Sequence, residues 1–145
     1  MHRIRNILLA LGLGVLAAMP AQAGWTELKA SENGHFVARA YINGTPTTAI
    51  IDTGATVVAI PYEEARRMGL HPTYLRFNHP VWTANGKAMA AFTRLRRVEI
   101  NGVRVDDVEA LVMPKRALRH VLLGMSFLRK LRRYVVNANT LRLVD

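Results

Sequence analysis

The sequence predicts a mainly β domain with one or two short helices, and two observations lead to this prediction. Asn-Gly occurs three times between apolar runs, at Asn43-Gly44, Asn85-Gly86 and Asn101-Gly102. These two residues tolerate the positive φ angles of a two-residue hairpin turn, so each pair predicts a β-hairpin. The runs between the turns are also short and rich in β-branched residues, which is typical of strands. A chain of 145 residues is long enough for one such domain.

The composition excludes several kinds of site. Half of the residues are hydrophobic and there is no cysteine, so a disulfide framework, a thiolate metal site and a cysteine nucleophile are all ruled out. Twenty Lys and Arg residues against ten Asp and Glu residues give a net charge of +10. So basic a chain raises nucleic acid as a partner, but the N-terminus argues against it.

The first 23 residues have the three parts of a secretory signal peptide. A basic segment at Met1–Asn6 precedes an apolar run at Ile7–Met19, and Ala21-Gln22-Ala23 supplies small residues before Gly24. Cleavage there leaves 145 − 23 = 122 residues with a charge of 10 − 2 = +8, because the leader holds two arginines. The alternative is an uncleaved N-terminal anchor. Both predict export, with the bacterial periplasm as destination and nucleic acid excluded as a partner.

The exported part divides into a linker at residues 24–33 and a domain at 34–145, with a first loose strand at Trp25–Glu32 as the alternative to a linker. Gly34–Ile42 partly alternates apolar and polar residues, as a half-buried strand does. Asn43-Gly44 then predicts a turn, and Thr45–Ile51 predicts the returning strand. This strand delivers Asp52 at its end.

Asp52 lies between two apolar runs, Ala49–Ile51 and Val57–Ile60, that read as buried strands. A carboxylate at that depth must be paired, protonated or hydrogen-bonded, since its ionisation without a partner is costly. Gly54 permits a tight turn and the close approach of another backbone or a ligand. The sequence therefore predicts either a reactive carboxylate or a structural Asp in a tight turn.

The remaining elements follow in order along the chain. Pro61–Leu70 predicts one short helix, with Pro at its start, acidic residues in its first turn, basic residues in its last turn and Gly at its end. The segments that follow predict two hairpins, a short apolar segment that opens a helix, and two closing strands: Val81–Ala90, 93–113, Val121–Leu128, Arg133–Val136 and Thr140–Val144.

The segment Ile50-Ile51-Asp52-Thr53-Gly54-Ala55 resembles the active-site loop of the retropepsin-like aspartic proteases. The later segment Leu122-Leu123-Gly124 resembles the family's apolar-apolar-Gly segment, which passes behind that loop and opens a short helix. Met125 and Ser126 replace the polar residues that usually follow this Gly. The resemblance runs from about Gly34 to the end of the chain, and it is closest to the exported bacterial branch with a single domain.

This resemblance implies a single-lobe acid-protease β-barrel and a set of site residues. It assigns catalysis to Asp52, Thr53 and Gly54. It assigns support of the catalytic loop to Ala55, Leu122, Leu123 and Gly124. It assigns a substrate-binding flap to the second hairpin, at Thr83, Ala84, Asn85 and Gly86, although an ordinary surface hairpin would have the same sequence.

The resemblance also implies how the site works. Aspartic proteases need two carboxylates that share a proton, and this chain offers one in the right setting. A homodimer in which two Asp52 side chains meet on a two-fold axis is therefore expected, with a polypeptide substrate and no metal or organic cofactor. The alternative is a module of the same fold that binds peptide or dimerises without catalysis.

Other chemistry is less well supported by the sequence. Gly124–Leu128 lacks the second Gly of a nucleophile elbow, and the histidines lack metal-ligand spacing. Asp106 and Asp107 are adjacent on a strand and should point to opposite faces, so they cannot share a proton. The basic clusters at residues 94–97 and 129–133 indicate a solvated face, or weak attraction to anionic membrane surfaces.

Overall fold

The computed structural model describes residues 24–83 and 86–145, so the predicted leader lies outside the described residues. The described part is mainly β, as predicted. Its strands are β1 (Trp25–Lys29), β2 (Phe36–Ile42), β3 (Thr45–Ile51), β4 (Val58–Ile60), β5 (His79–Thr83), β6 (Gly86–Ile100), β7 (Val103–Val112), β8 (Val121–Leu123), β9 (Arg133–Asn137) and β10 (Thr140–Val144). Its helices are α1 (Tyr62–Arg67), α2 (Met125–Leu128) and a 3₁₀ turn at Pro72–Tyr74.

Six strands close into a barrel in the order β2-β3-β8-β4-β7-β6, and β6 returns to β2. The closing contact pairs Tyr41 with Glu99 and Ile42 with Val98. Most neighbours are antiparallel, but β3 with β8 and β4 with β7 are parallel. Parallel pairs need crossovers, and here the crossovers bring β3 and β8, which are distant in the sequence, side by side.

Two predicted hairpins are confirmed by their turn geometry. Asn43 and Gly44 have φ angles of 52° and 86°, and Asn101 and Gly102 have 47° and 89°. Both residues of each turn are thus left-handed, which matches the twist of the flanking strands. One detail differs from the sequence analysis, because β6 is a single long strand that serves both the second and third hairpins.

The first described residues form a strand, one of the two alternatives that the sequence left open for residues 24–33. Trp25–Lys29 forms β1, which pairs antiparallel with β10 in a separate three-stranded sheet completed by β9. The first and last described residues are joined there, since the Gly24 N–H donates to the Asp145 carboxylate and the Asp145 N–H donates to the Gly24 carbonyl at 3.1 Å. The pairing partner of β1 is more than a hundred residues away, so local sequence does not reveal it.

The core is mostly aliphatic, and it is built from inward-facing positions of the barrel together with residues of α2 and β10. Burial of these side chains is the main force that stabilises the fold. The largest fully buried members are Phe127, Ile42, Ile60, Leu95, Ile100, Leu123, Leu128, Leu141 and Leu143.

Asp106 and Asp107 both face solvent, contrary to the expected opposite faces. Strand alternation is interrupted here, and Asp107 has a φ of 57°. A hydrogen bond from Arg97 to Asp106 and one from Arg94 to Asp107 lower the pKa of each carboxyl, with further lowering by the charges of these arginines and of Lys130. These carboxylates therefore form ion pairs on the surface of the hairpin, and they form no proton-sharing pair.

Within residues 24–83 and 86–145, no helix is long and apolar enough to cross a membrane. The same residues contain no group of three or more His, Asp or Glu side chains that could hold a metal ion.

Candidate active site

Asp52 lies directly after β3, and its position is fixed by β8. The two strands pair in parallel through Ile50 with Leu122 and Ile51 with Leu123. The Asp52 N–H then donates to the Leu123 carbonyl at 3.1 Å. The backbone that carries the carboxylate is thus an extension of the barrel, which is a rigid support for a reactive group.

The carboxylate folds back onto its own loop. Its Oδ1 accepts a hydrogen bond from the Gly54 N–H at 2.8 Å, and the Ala55 N–H donates to the Asp52 carbonyl at 3.2 Å. Asp52 is half-buried, whereas Thr53 and Gly54 are exposed. In the described part of the chain the Thr53 hydroxyl has no hydrogen-bond partner. The loop therefore presents one oriented carboxylate and one free hydroxyl at the surface.

Gly124 crosses directly behind this loop. A Cβ atom added there would lie 2.5 Å from the Ala55 carbonyl oxygen and closer still to that of Val57, so a side chain cannot fit. The close approach lets the start of α2 bind the loop, because the Met125 N–H donates to Ala55 at 2.8 Å and the Ser126 N–H donates to Thr56 at 3.1 Å.

Ser126 stands where the retropepsin-like family usually has a different polar residue, and its hydroxyl makes two hydrogen bonds. Its hydroxyl accepts a hydrogen bond from the Val58 N–H at 2.9 Å and donates to the Glu109 carbonyl at 2.7 Å. One partly buried side chain thus joins α2, β4 and β7 beneath the loop. A serine held in this way is a structural bridge and has no free hydroxyl for nucleophilic attack.

A groove of about 740 Å³ opens beside Asp52. Its walls are mostly apolar, and Asp52 is the one acidic residue among those that line it. The groove is lined by the Asp52 loop, β5, the end of β7 and the segment before β8: Asp52, Gly54, Ala55, Thr56, Val57, Ala59, His79, Pro80, Val81, Trp82, Thr83, Leu111, Met113, Ala117, Leu118 and Leu122.

The predicted flap residues are in part described. Thr83 lines the groove, and its hydroxyl donates to the Gly86 carbonyl at 2.8 Å, at the end of the β5–β6 pairing. Ala84 and Asn85 lie outside the described residues. Sequence reasoning missed the opposite wall, where Ala117 and Leu118 contribute, although these two apolar residues inside a basic loop were a usable signal.

Residues 38–130, well over half of the chain, match the model of the family described as "gag-polyprotein putative aspartyl protease". The chain belongs to the retropepsin-like aspartic protease family. The matched segment begins in β2 and ends just after α2, so it contains both the Asp52 loop and Gly124 of this retropepsin-like domain.

Two curated relatives share this retropepsin-like sequence. An uncharacterized protein in the cobV 5′ region of Sinorhizobium sp. is 40% identical over 113 residues, 78% of this chain and 48% of that protein. An uncharacterized protein of Rickettsia prowazekii (strain Madrid E) is 31% identical over 111 residues, 77% of this chain and 47% of that protein. The chain thus spans about half the length of the curated relatives it matches.

Two solved structures resemble the retropepsin-like fold described above. A retropepsin-like aspartic protease from Rickettsia conorii has a TM-score of 0.77 and 29% identity, covering 85% of this chain and 92% of that one. The EIAV protease in complex with the inhibitor HBY-793 has a TM-score of 0.57 and 18% identity, covering 74% and 97%. The second likeness is one of fold alone.

Proposed function

We propose that this chain is an aspartic endopeptidase whose active site is completed by a second copy of itself. The observation that carries the proposal is the placement of Asp52. It is the one acid that lines a large, mostly apolar groove, and Gly54 holds its Oδ1 in a fixed direction at 2.8 Å. Membership of a protease family supports the proposal, because the matched residues 38–130 include this loop.

The chemistry needs two such carboxylates about 3 Å apart, sharing one proton. The ionised carboxylate accepts a proton from a water molecule as the water oxygen attacks the scissile carbonyl carbon. The protonated carboxylate donates its proton to the carbonyl oxygen. When the tetrahedral intermediate collapses, the leaving nitrogen receives a proton and the shared proton is restored. No group other than the two carboxylates and water enters this cycle.

A homodimer supplies the second carboxylate in this proposal. Two-fold symmetry brings the same loop from each copy to one axis, so each copy contributes one Asp52. Thr53 and Gly54 are exposed, and the Thr53 hydroxyl lacks a partner among the described residues; both facts support a contact made there by the other copy. The β5–β6 hairpin then serves as a flap, and an extended peptide in the groove pairs with its free edge.

The direct test is Asp52→Asn, with Asp107→Asn as the matched control. Both variants replace an acid by its near-isosteric amide, but Asp107 is exposed and bound to Arg94 on the far hairpin. Hydrolysis of a mixed peptide library should be lost in Asp52→Asn and kept in Asp107→Asn, with both variants folded by circular dichroism. Normal turnover by Asp52→Asn would refute the assignment. Peptide binding without cleavage by the folded wild type would support a non-catalytic module.

The dimer has its own test. Rate per subunit should fall on dilution below the dimer dissociation constant, because the isolated chain holds half of the dyad. Excess Asp52→Asn chains should inhibit the wild type by forming mixed dimers, whereas excess Asp107→Asn chains should not. A rate per subunit that stays constant where ultracentrifugation finds only monomers would exclude a shared active site.

A further inference from the structure

The two sequence segments that form most of the groove walls contain no acidic residue. Residues 65–98 and 110–144 contain no Asp or Glu. These two stretches supply every groove wall except the Asp52 loop and the strand that follows it. Asp52 therefore lies among walls that are mostly apolar and that hold no second acid.

The loop between β7 and β8 concentrates positive charge at one rim of the groove. Lys115, Arg116 and Arg119 are exposed in this loop, and between them Ala117 and Leu118 turn into the groove wall. Among the described residues none of the three cations forms an ion pair. The Lys115 Nζ lies 5.1 Å from the centre of the Tyr62 ring. This contact positions the ammonium group but does not neutralise its charge.

About half of the basic residues elsewhere in the described part form ion pairs. These ion pairs use seven cations, all outside the rim: Arg66, Arg67, Arg94, Arg97, Arg104, Lys130 and Arg142. Cations without an ion pair among the described residues also occur away from the rim, among them Arg39, Arg129 and Arg133. The rim loop differs because all three of its cations are unpaired in the described part and lie next to residues that line the groove.

Arg116 occupies a backbone conformation that disfavours it. The Ala117 N–H donates to the Pro114 carbonyl at 3.1 Å and closes a four-residue turn, in which Arg116 has a φ of 65°. Turns of this kind favour Gly at that position, because a Cβ atom makes a left-handed residue strained. An arginine here stabilises nothing that the structure shows, and its charge is directed to solvent at the rim.

The β5–β6 hairpin carries a further unpaired cation. Lys87 is exposed and pairs across the hairpin with Trp82, which lines the groove. Lys87 lacks an ion-pair partner among the described residues. Two of the segments that adjoin the groove therefore carry unpaired cations.

We propose that the groove selects acidic polypeptide segments as its substrates, an inference that rests on the proposed function. Fields from like charges add near a cleft whose walls are apolar, so acidic side chains of a peptide are attracted to the groove. Arg116 and Arg119 in the loop between β7 and β8, with Lys87 on the β5–β6 hairpin, are the specificity-determining residues. They act on substrate binding and not on the chemical step.

The test uses three internally quenched peptides that share a central Leu-Phe. Two Glu, two Gln or two Lys residues flank this centre on each side. At about pH 5.5 the Glu side chains are ionised, since their usual pKa is about 4.3. The Glu peptide should exceed the Gln peptide about tenfold or more in kcat/KM, through KM, and the Lys peptide should be poorest. The preference should collapse between about 0.01 M and about 1 M salt, where the Debye length falls from about 30 Å to about 3 Å.

Variants at Arg116 and Arg119 test whether the rim causes the preference for acidic peptides. Arg116→Gly with Arg119→Gln should erase most of the preference without unfolding the protein, because Gly is favoured at that φ angle. Arg96→Gln is the matched control, an exposed arginine with no ion pair among the described residues, on the distant part of β6. It should keep the preference. Equal loss in Arg96→Gln would show that only net charge matters, and would overturn the assignment to the rim.

The remaining outcomes separate this inference from the proposed function. Cleavage of all three peptides with equal kcat/KM overturns acidic selection and leaves the protease intact. If no peptide is cleaved, the proposed function fails. Fluorescence anisotropy of labelled Glu and Gln peptides with the wild type and Asp52→Asn then tests whether the groove binds the acidic peptide more tightly. Binding to phosphatidylserine vesicles that is lost in the rim variants, without any preference among peptides, would assign the rim to membranes and overturn the proposal.

Discussion

Replacing Gly124 by Ala should destabilise the domain more than any other single methyl group added at a glycine within the barrel. The new Cβ atom would meet the Ala55 carbonyl oxygen at 2.5 Å, so α2 and the Asp52 loop must separate. Overpacking of this kind costs about 1–3 kcal/mol. Weakening the bonds from Met125 and Ser126 to the loop adds about 1 kcal/mol for each bond. The free energy of unfolding should therefore fall by about 3–5 kcal/mol in total.

Urea denaturation measures this change as a shift in midpoint at constant slope, and the melting temperature should fall by roughly 10–20 °C. Gly69→Ala is the matched control, because Gly69 has a φ of 70° and its Cβ position meets no atom within 4 Å. That variant should lose only the conformational cost of about 1–2 kcal/mol. If the two variants were equally stable, Gly124 would not be in close contact with the backbone of the Asp52 loop. The proposed dependence of that loop on Gly124 would then be refuted.

Three further predictions follow from other features. Ser126→Ala should cost about 1–3 kcal/mol in urea denaturation, because the Val58 N–H and the Glu109 carbonyl lose their shared partner, whereas Ser31→Ala on the surface should change little. Arginine contacts lower the pKa of Asp106 and Asp107, so their stabilisation is complete above the unfolded pKa of about 3.9 and is lost as pH falls through the lower folded pKa. Acid unfolding should consequently be less steep in an Arg94→Gln, Arg97→Gln double variant, and an unchanged profile would refute this linkage. N-terminal sequencing of protein from the cell envelope should begin at Gly24, and a cytoplasmic protein that begins at Met1 would contradict export.

The elements that the sequence predicted well are those whose signal is local. Asn43-Gly44 and Asn101-Gly102 carry their turn geometry in the two residues themselves, so both hairpins were found. The strand, Asp-Thr-Gly turn and second strand around Asp52 form one continuous pattern. This pattern identified the family, and it predicted as catalytic the carboxylate that lines the groove. Gly124 was found because the family pattern pointed to it.

What the sequence did not reveal depends on contacts between distant segments. β1 buries Thr26 and Leu28 and exposes Trp25, so its apolar pattern is weak, and its only partner strand lies at the other end of the chain. The bridge made by Ser126 needs β4 and β7 to meet beneath the loop. The groove wall at Ala117 and Leu118 likewise exists only once β7 and β8 are in place. Each of these depends on tertiary structure, which residue type and spacing do not encode.

The contact between Gly24 and Asp145, the first and last described residues, determines the end of the domain at which it would be tethered. Gly24 binds Asp145, and Asp145 also accepts a hydrogen bond from the Arg104 N–H at 2.7 Å, next to the turn between β6 and β7. The groove lies at the opposite end of these two strands, near the pairing of Ala91 with Val112. About ten residues of strand separate the two regions, or about 30 Å. Any segment attached before Gly24 or after Asp145 would leave from one pole, so an anchored domain would turn its groove outward, away from the surface that holds it.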